Sequence, residues 1–165
     1  MCARALLSSP AGAGLVALLL SLTPALPAEA KAWKGIDPGK ASIAEVKKRL
    51  GPPSTTEKRG ETTIYSYQGK EAVSGARQAN FYVDAGGTVR EIHVFPETPP
   101  PADAVPATYG TRYKKRFTED FRTYYQYESE GLVVFLTPDG KSVYSVIFKA
   151  AKSEKKKAKG SGEGE

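Results

Sequence analysis

The sequence predicts an α+β protein: a short helix packed on a three-stranded antiparallel meander, followed by a degenerate second meander. Three observations carry this expectation. "SIAEVKKRLGPP" (42–53) is an amphipathic pattern with a clear start and stop. The runs after it alternate apolar and polar residues with the period of two that a strand requires. Similar runs return beyond a proline-rich stretch, "PETPPPADAVP" (96–106).

The chain has 165 residues, enough for one ordinary domain or two very small ones. Residues 1–30 read as a signal peptide. Arg4 gives a thin positive start, "LVALLLSL" (15–22) is an apolar run too short to span a bilayer, and Ala28-Glu29-Ala30 is an A-x-A cleavage site. Cleavage after Ala30 would leave a periplasmic or secreted protein beginning at Lys31. The single cysteine, Cys2, lies inside this segment, so the processed chain offers no disulfide, thiol nucleophile or thiolate metal site. Cys2 also precedes the apolar run instead of following it, so a lipoprotein anchor is not expected.

Ser42 is a good N-cap, and Glu45 three residues on completes a capping box. Ile43, Val46 and Leu50 fall on one face, and Lys47, Lys48 and Arg49 suit the negative end of the helix dipole. Gly51 can take a left-handed conformation, and Pro52-Pro53 forbid continuation. A helix of about two turns is unstable alone in water, so it must dock its apolar face on something. The sheet is the candidate. "TTIYSYQ" (62–68), "ANFYVD" (79–84) and "TVREIHVF" (88–95) read as strands, the last two joined by the turn "AGG" (85–87). Residues 36–95 thus form one helix-plus-meander module, with a polar loop at 70–77.

Residues 96–106 read as a semi-rigid linker. Beyond it, 107–149 read as a second, degenerate meander module. "TYYQYES" (123–129) resembles "TIYSYQG" (63–69), and "LVVFLTPDGKSVYSVIF" (132–148) is a hairpin around Pro-Asp-Gly. Tyr109-Gly110 stands where Leu50-Gly51 stood. The register implies a tandem repeat of about 55–60 residues. "PADAVPATYG" is expected to form one helical turn at most. Residues 150–165 are Lys-rich, lack large apolar side chains and are expected to be disordered.

The net charge of +6 owes much to that tail. Hydrolytic or redox chemistry needs a nucleophile with its base, a metal site or a cofactor loop. The one histidine, His93, shares a strand face with Glu91 and Phe95, but nothing further marks it as a base. The carboxylates are scattered, and the glycine turns are not followed by helices as phosphate loops are. No catalytic residue, metal or cofactor is therefore expected, and the chain does not read as an enzyme. Two sets of residues remain. Tyr65 and Tyr67 share one strand face, as Tyr125 and Tyr127 share the corresponding one. Aromatic strand residues usually pack, but tyrosine is also favoured at interfaces, so these four are the candidate partner-binding residues. Arg112, Lys114, Lys115 and Arg116, with Lys155, Lys156 and Lys157 of the tail, are the candidate anion contacts.

The stretch "IDPGKASIAEVKKRLGPPSTTEKRGETTIYSYQG", with "ANFYVDAGGTVREIHVF" after it, resembles the SmpA/OmlA (BamE-like) envelope domain. The residues that carry the resemblance are Gly39, Ser42, Val46, Leu50, Gly51, Pro53, Tyr65, Tyr67, Phe81, Val89 and Ile92. It implies two short helices on a three-stranded antiparallel sheet, a fold shared with the β-lactamase-inhibitor-protein repeat. It also implies a non-catalytic protein that binds other proteins, in envelope maintenance or outer-membrane protein assembly. The chain departs from the family in lacking a lipoprotein cysteine and in carrying a second module and a basic tail. Another envelope protein is thus the leading partner. Inhibition of an extracytoplasmic enzyme, or binding to anionic lipid or cell-wall polymer, are the alternatives, and nucleic acid is the least favoured.

Overall fold

The computed structural model describes residues 31–150. The segment 1–30 expected to be a signal peptide and the tail cations Lys155, Lys156 and Lys157 lie outside the described residues. The chain runs α1 (Ile43–Leu50), β1 (Thr55–Arg59), β2 (Thr62–Gln68), β3 (Ala76–Val83), β4 (Val89–Pro96), α2 (Ala104–Tyr109), β5 (Lys114–Phe117), β6 (Thr123–Tyr127), β7 (Leu132–Leu136) and β8 (Val143–Lys149). Single 3-10 turns at Gly69–Glu71 and Glu128–Glu130 follow β2 and β6.

All eight strands form one antiparallel sheet in the order β1-β2-β3-β4-β8-β7-β6-β5. This corrects the expected helix on a three-stranded meander with a separate second meander. It also departs from the two-helix, three-stranded architecture that the SmpA/OmlA resemblance implied. The sheet dominates and the helical content is small. The cause lies at the seam. β4 and β8 would each present an open edge carrying apolar side chains, and unpaired backbone groups beside an apolar core are costly. Pairing Ile92 with Phe148 and Val94 with Val146 satisfies both edges and merges the two cores. A single buried cluster results, running from Val46, Tyr67 and Phe81 through Ile92 and Phe148 to Tyr127 and Val105.

The strand order reads the same from either edge. Each half contributes one helix and four strands, and β1 and β5 are the outer edges. Both edge strands are exposed along their whole length and rich in charge, with Glu57, Lys58 and Arg59 on one and Lys114, Lys115 and Arg116 on the other. Such edges resist pairing with another chain.

Helix α1 forms as its sequence dictates. The Ser42 hydroxyl accepts from the Glu45 amide, the Glu45 carboxylate accepts from the Ser42 amide at 2.8 Å, and Val46 is fully buried. Helix α2 is longer than the single turn expected. Pro106 is its third residue, in the first turn, where a backbone N–H would have no intrahelical partner, so the proline costs little there. Residues 96–106 are also tied to the fold. Pro101 bridges to Ser142, and the Val143 amide donates to the Pro100 carbonyl at 2.9 Å.

Candidate functional site

Alternation along each strand gives the sheet two unlike faces. One carries Tyr67, Ala79, Phe81, Val83, Ile92, Val94, Phe148, Val146, Leu132, Val134 and Tyr127, all buried. Both helices lie on this side, as does the segment 31–42, whose Trp33 ring sits 6.0 Å from that of Phe81 and whose Ile36 is buried.

The opposite face has no helix or strand of the described residues packed on it. Its side chains come from the alternate positions: Ser66, Asn80, Tyr82, His93, Phe95, Ile147, Val133, Phe135, Tyr124 and Gln126, each half-buried, with Ile64 and Ser145 buried among them. None belongs to the core cluster or packs against it. The rings on this face stack on one another. Tyr82 and His93 have centroids 4.3 Å apart, and Tyr124 and Phe135 stack at 5.1 Å. Phe95 meets Tyr144 edge-on at 5.6 Å, and the Arg77 guanidinium lies over both rings, 5.9 and 5.7 Å from their centroids. Near the seam, Glu91 accepts from the His93 ring at 2.9 Å and from the Lys149 ammonium at 3.1 Å. The hydrogen bond from His93 is the main cause holding the Glu91 carboxyl down at about 2, with Lys149 adding to it against the opposing effect of partial burial.

A sheet with one solvated face should alternate apolar and polar residues. β7, "LVVFL", is apolar at every position. Val133 and Phe135 are thus apolar at positions on the open side. Together with Ile147, Tyr124, Tyr82 and Phe95 they form the aromatic and aliphatic middle of the face.

The four sequence-selected tyrosines are on the other side. Tyr67 and Tyr127 are fully buried, and their hydroxyls donate to the carbonyls of Gly51 and Gly110, each at 3.0 Å. A side chain with no exposed surface cannot contact a partner, so as surface anchors these two are corrected to core residues. Tyr65 and Tyr125 are half-buried on the helix side. The Lys47 ammonium lies 4.8 Å over the Tyr65 ring, and Tyr125 stacks on Tyr113 at 4.4 Å. The period was read correctly: Tyr65 and Tyr67 share one face, as do Tyr125 and Tyr127. The off-phase residues Tyr124 of β6, Val133 and Phe135 of β7 and Ile147 of β8 are apolar, beside the polar Gln126, Ser145 and Lys149. The basic residues lie apart from the open face's middle, around the far edge. Arg112 precedes β5. Lys114, Lys115 and Arg116 are on β5, with Lys114 bonded to Glu128 at 2.8 Å. Among the described residues no group of three or more His, Cys, Asp or Glu side chains is placed to hold a metal ion.

No protein-family model matches the chain, and no curated protein matches it. Among solved structures it is similar to a DUF4309 family protein (YjgB) from Bacillus subtilis, at 16% identity over 71% of this chain and 83% of that one, with a TM-score of 0.47. It is also similar to a cysteine-rich secretory protein from Staphylococcus aureus, at 15% identity over 74% of this chain and 47% of that one, with a TM-score of 0.45.

Proposed function

We propose that this is a non-catalytic, secreted or periplasmic binding factor that takes another folded protein onto the open face of its sheet. The observation that supports this reading is the uncovered strip Tyr82, Phe95, Ile147, Val133, Phe135 and Tyr124, made of side chains the fold does not use for its own core. A contiguous apolar surface with no covering element is a feature of interaction sites. The strip crosses β3, β4, β8, β7 and β6; five strands about 4.8 Å apart, each about five residues long, make a patch of roughly 400 Å². A standard protein interface buries about 800 Å² per partner, so the strip would form its apolar centre. The aromatic residues are stacked on each other before any partner arrives, so little side-chain entropy is lost on docking. The Arg77 guanidinium at the rim suits a carboxylate on the partner. The partner that fits is a protein with an apolar centre and acidic rim groups.

Site-specific photo-crosslinking in the producing cell tests this. A crosslinker at Phe135 or Tyr82 is expected to capture one discrete protein, and one at exposed Lys48 on the helix side is not. Adding Ile147→Arg should abolish the capture. Equal capture from Lys48, or capture untouched by Ile147→Arg, overturns the reading. If the captured protein is an enzyme that loses activity in the complex, the factor is an inhibitor.

A further inference from the structure

Among the described residues, the large apolar side chains most exposed to solvent are not on the sheet face. Phe117 is 62% exposed and Phe121 is 87% exposed, and both stand at the tip of the β5–β6 hairpin. Phe121 also takes φ 57°, a left-handed conformation costly for any residue with a Cβ and normally left to glycine or asparagine. The turn holds it there. The Phe121 amide donates to the Thr118 carbonyl at 3.0 Å, and the Arg122 amide to the Thr118 hydroxyl at 2.9 Å. Asp120 accepts from the Thr118 hydroxyl and from Arg122, the latter at 2.6 Å.

The fold does not demand this tip. The corresponding hairpin of the first half, β1–β2, closes through Gly60 and Glu61 alone, with glycine at φ 60° and no exposed aromatic residue. The second hairpin adds three loop residues and two phenylalanines. Cations surround them. Residues 112–122 carry five, against two carboxylates, and one of those, Asp120, is tied to Arg122. Arg112, Lys115 and Arg116 have no carboxylate partner among the described residues. Lys115 and Phe117 project from one side of β5 and Arg116 from the other, so positive charge flanks the apolar tip on both sides.

We propose that this tip is a wedge that docks on an anionic phospholipid bilayer. Phe117 and Phe121 enter the boundary between headgroups and acyl chains, and Arg112, Lys115 and Arg116 bind the lipid phosphates. A bilayer fits better than a protein pocket because the cations spread around the tip with no one-sided groove between them, and a charged plane engages them all. No helix of the described residues is long and apolar enough to cross a membrane. The proposal is independent of the sheet-face reading, since neither phenylalanine lies on that strip.

Vesicle co-sedimentation of the full chain tests it, with phosphatidylcholine–phosphatidylglycerol vesicles against phosphatidylcholine alone. The parent is expected to bind the anionic vesicles selectively and to release as salt is raised. Lys115→Ala with Arg116→Ala should weaken binding about thirtyfold. Phe117→Ser with Phe121→Gly should weaken it at least about tenfold. Parent and variants share the same termini, so any contribution from the chain ends cancels. Folding is read separately. Phe121→Gly frees the left-handed position, so its thermal midpoint should equal or exceed the parent's while its binding falls, a combination misfolding cannot produce. Binding unchanged by the phenylalanine substitutions overturns the proposal, because simple electrostatics then suffice. So does a parent that ignores anionic vesicles, or one that forms a dimer through the tip in sedimentation velocity and binds no lipid.

Discussion

The Tyr67 hydroxyl donates to the Gly51 carbonyl at 3.0 Å, locking the end of α1 onto β2. The second half repeats the device, with Tyr127 on β6 donating to the Gly110 carbonyl at the end of α2, also at 3.0 Å. Both glycines have positive φ, 84° and 90°, which turns the chain so that the carbonyl faces the tyrosine. Each bond satisfies a helix-end acceptor and a buried hydroxyl at once. Tyr67→Phe and Tyr127→Phe should each cost about 1 kcal/mol in urea unfolding. The two sites lie in opposite halves and share no partner, so the double variant should be additive to within about 0.5 kcal/mol.

Tyr127 also predicts an alkaline limit. Burial first, and the neighbouring Tyr113 and Glu130 after it, push its phenol up to about 12 from 10.0. Below pH 10 the group is neutral folded and unfolded, and its contribution is fully present. Between pH 10 and about 12 the unfolded chain gives up a proton that the folded chain keeps, so stability falls as pH rises. Tyr127→Phe should flatten this part of the stability profile, measured by denaturant titration across that range. Stability loss as steep as in the parent would mean other groups set the limit.

Much of the local structure was legible because it is written in local chemistry. Ser42, Glu45, Gly51 and the two prolines fix α1 without reference to anything distant. The alternation in 62–68 and the turns at 85–87 and 138–140 likewise need only neighbours. Three things were not legible. β1, "TTEKR", is a strand by virtue of pairing with β2 and has no apolar alternation of its own to announce it. Helix α2 was hidden by Pro106, which breaks a helix interior but not a first turn. The β4–β8 seam was hidden because period and propensity say which residues share a face, not which edge meets which. The burial of Tyr67 and Tyr127 was hidden for a related reason. Once the two halves join, both lie under the helices, and their off-phase neighbours line the candidate face.

At the acid end, Glu91 decides. Its carboxyl is held at about 2 against an ordinary 4.5. Above pH 4.5 it is ionised in both states and its bonds to His93 and Lys149 contribute fully. As pH falls from 4.5 to about 2, the unfolded chain takes up a proton that the folded chain resists, and the contribution is lost. The site is partly solvated, so screening reduces its worth to about 1 kcal/mol. Glu91→Gln should be less stable than the parent by about that amount at neutral pH and should show a shallower decline through this window. Circular dichroism along an acid titration with urea measures both. An unchanged acid profile in the variant would sink the assignment.

The sharpest test of the two-faced sheet uses adjacent residues on β8. Val146 is 7% exposed and pairs with Val94 and Val134 on the helix side, while Ile147 pairs with His93 and Val133 on the open side. Val146→Arg buries an unpaired charge in the single core and should cost about 4 kcal/mol or more, enough to unfold much of the population. Ile147→Arg places the same charge where solvent already reaches, and its alkyl stem can lie along Val133, so it should cost under about 1 kcal/mol. If the open face is a docking surface, Ile147→Arg leaves thermal unfolding nearly unchanged and removes the crosslinked partner. If that face serves only the fold, the two variants should lose stability alike, because both would then be core positions. One step along the strand thus separates what the sheet needs to exist from what it leaves free to bind.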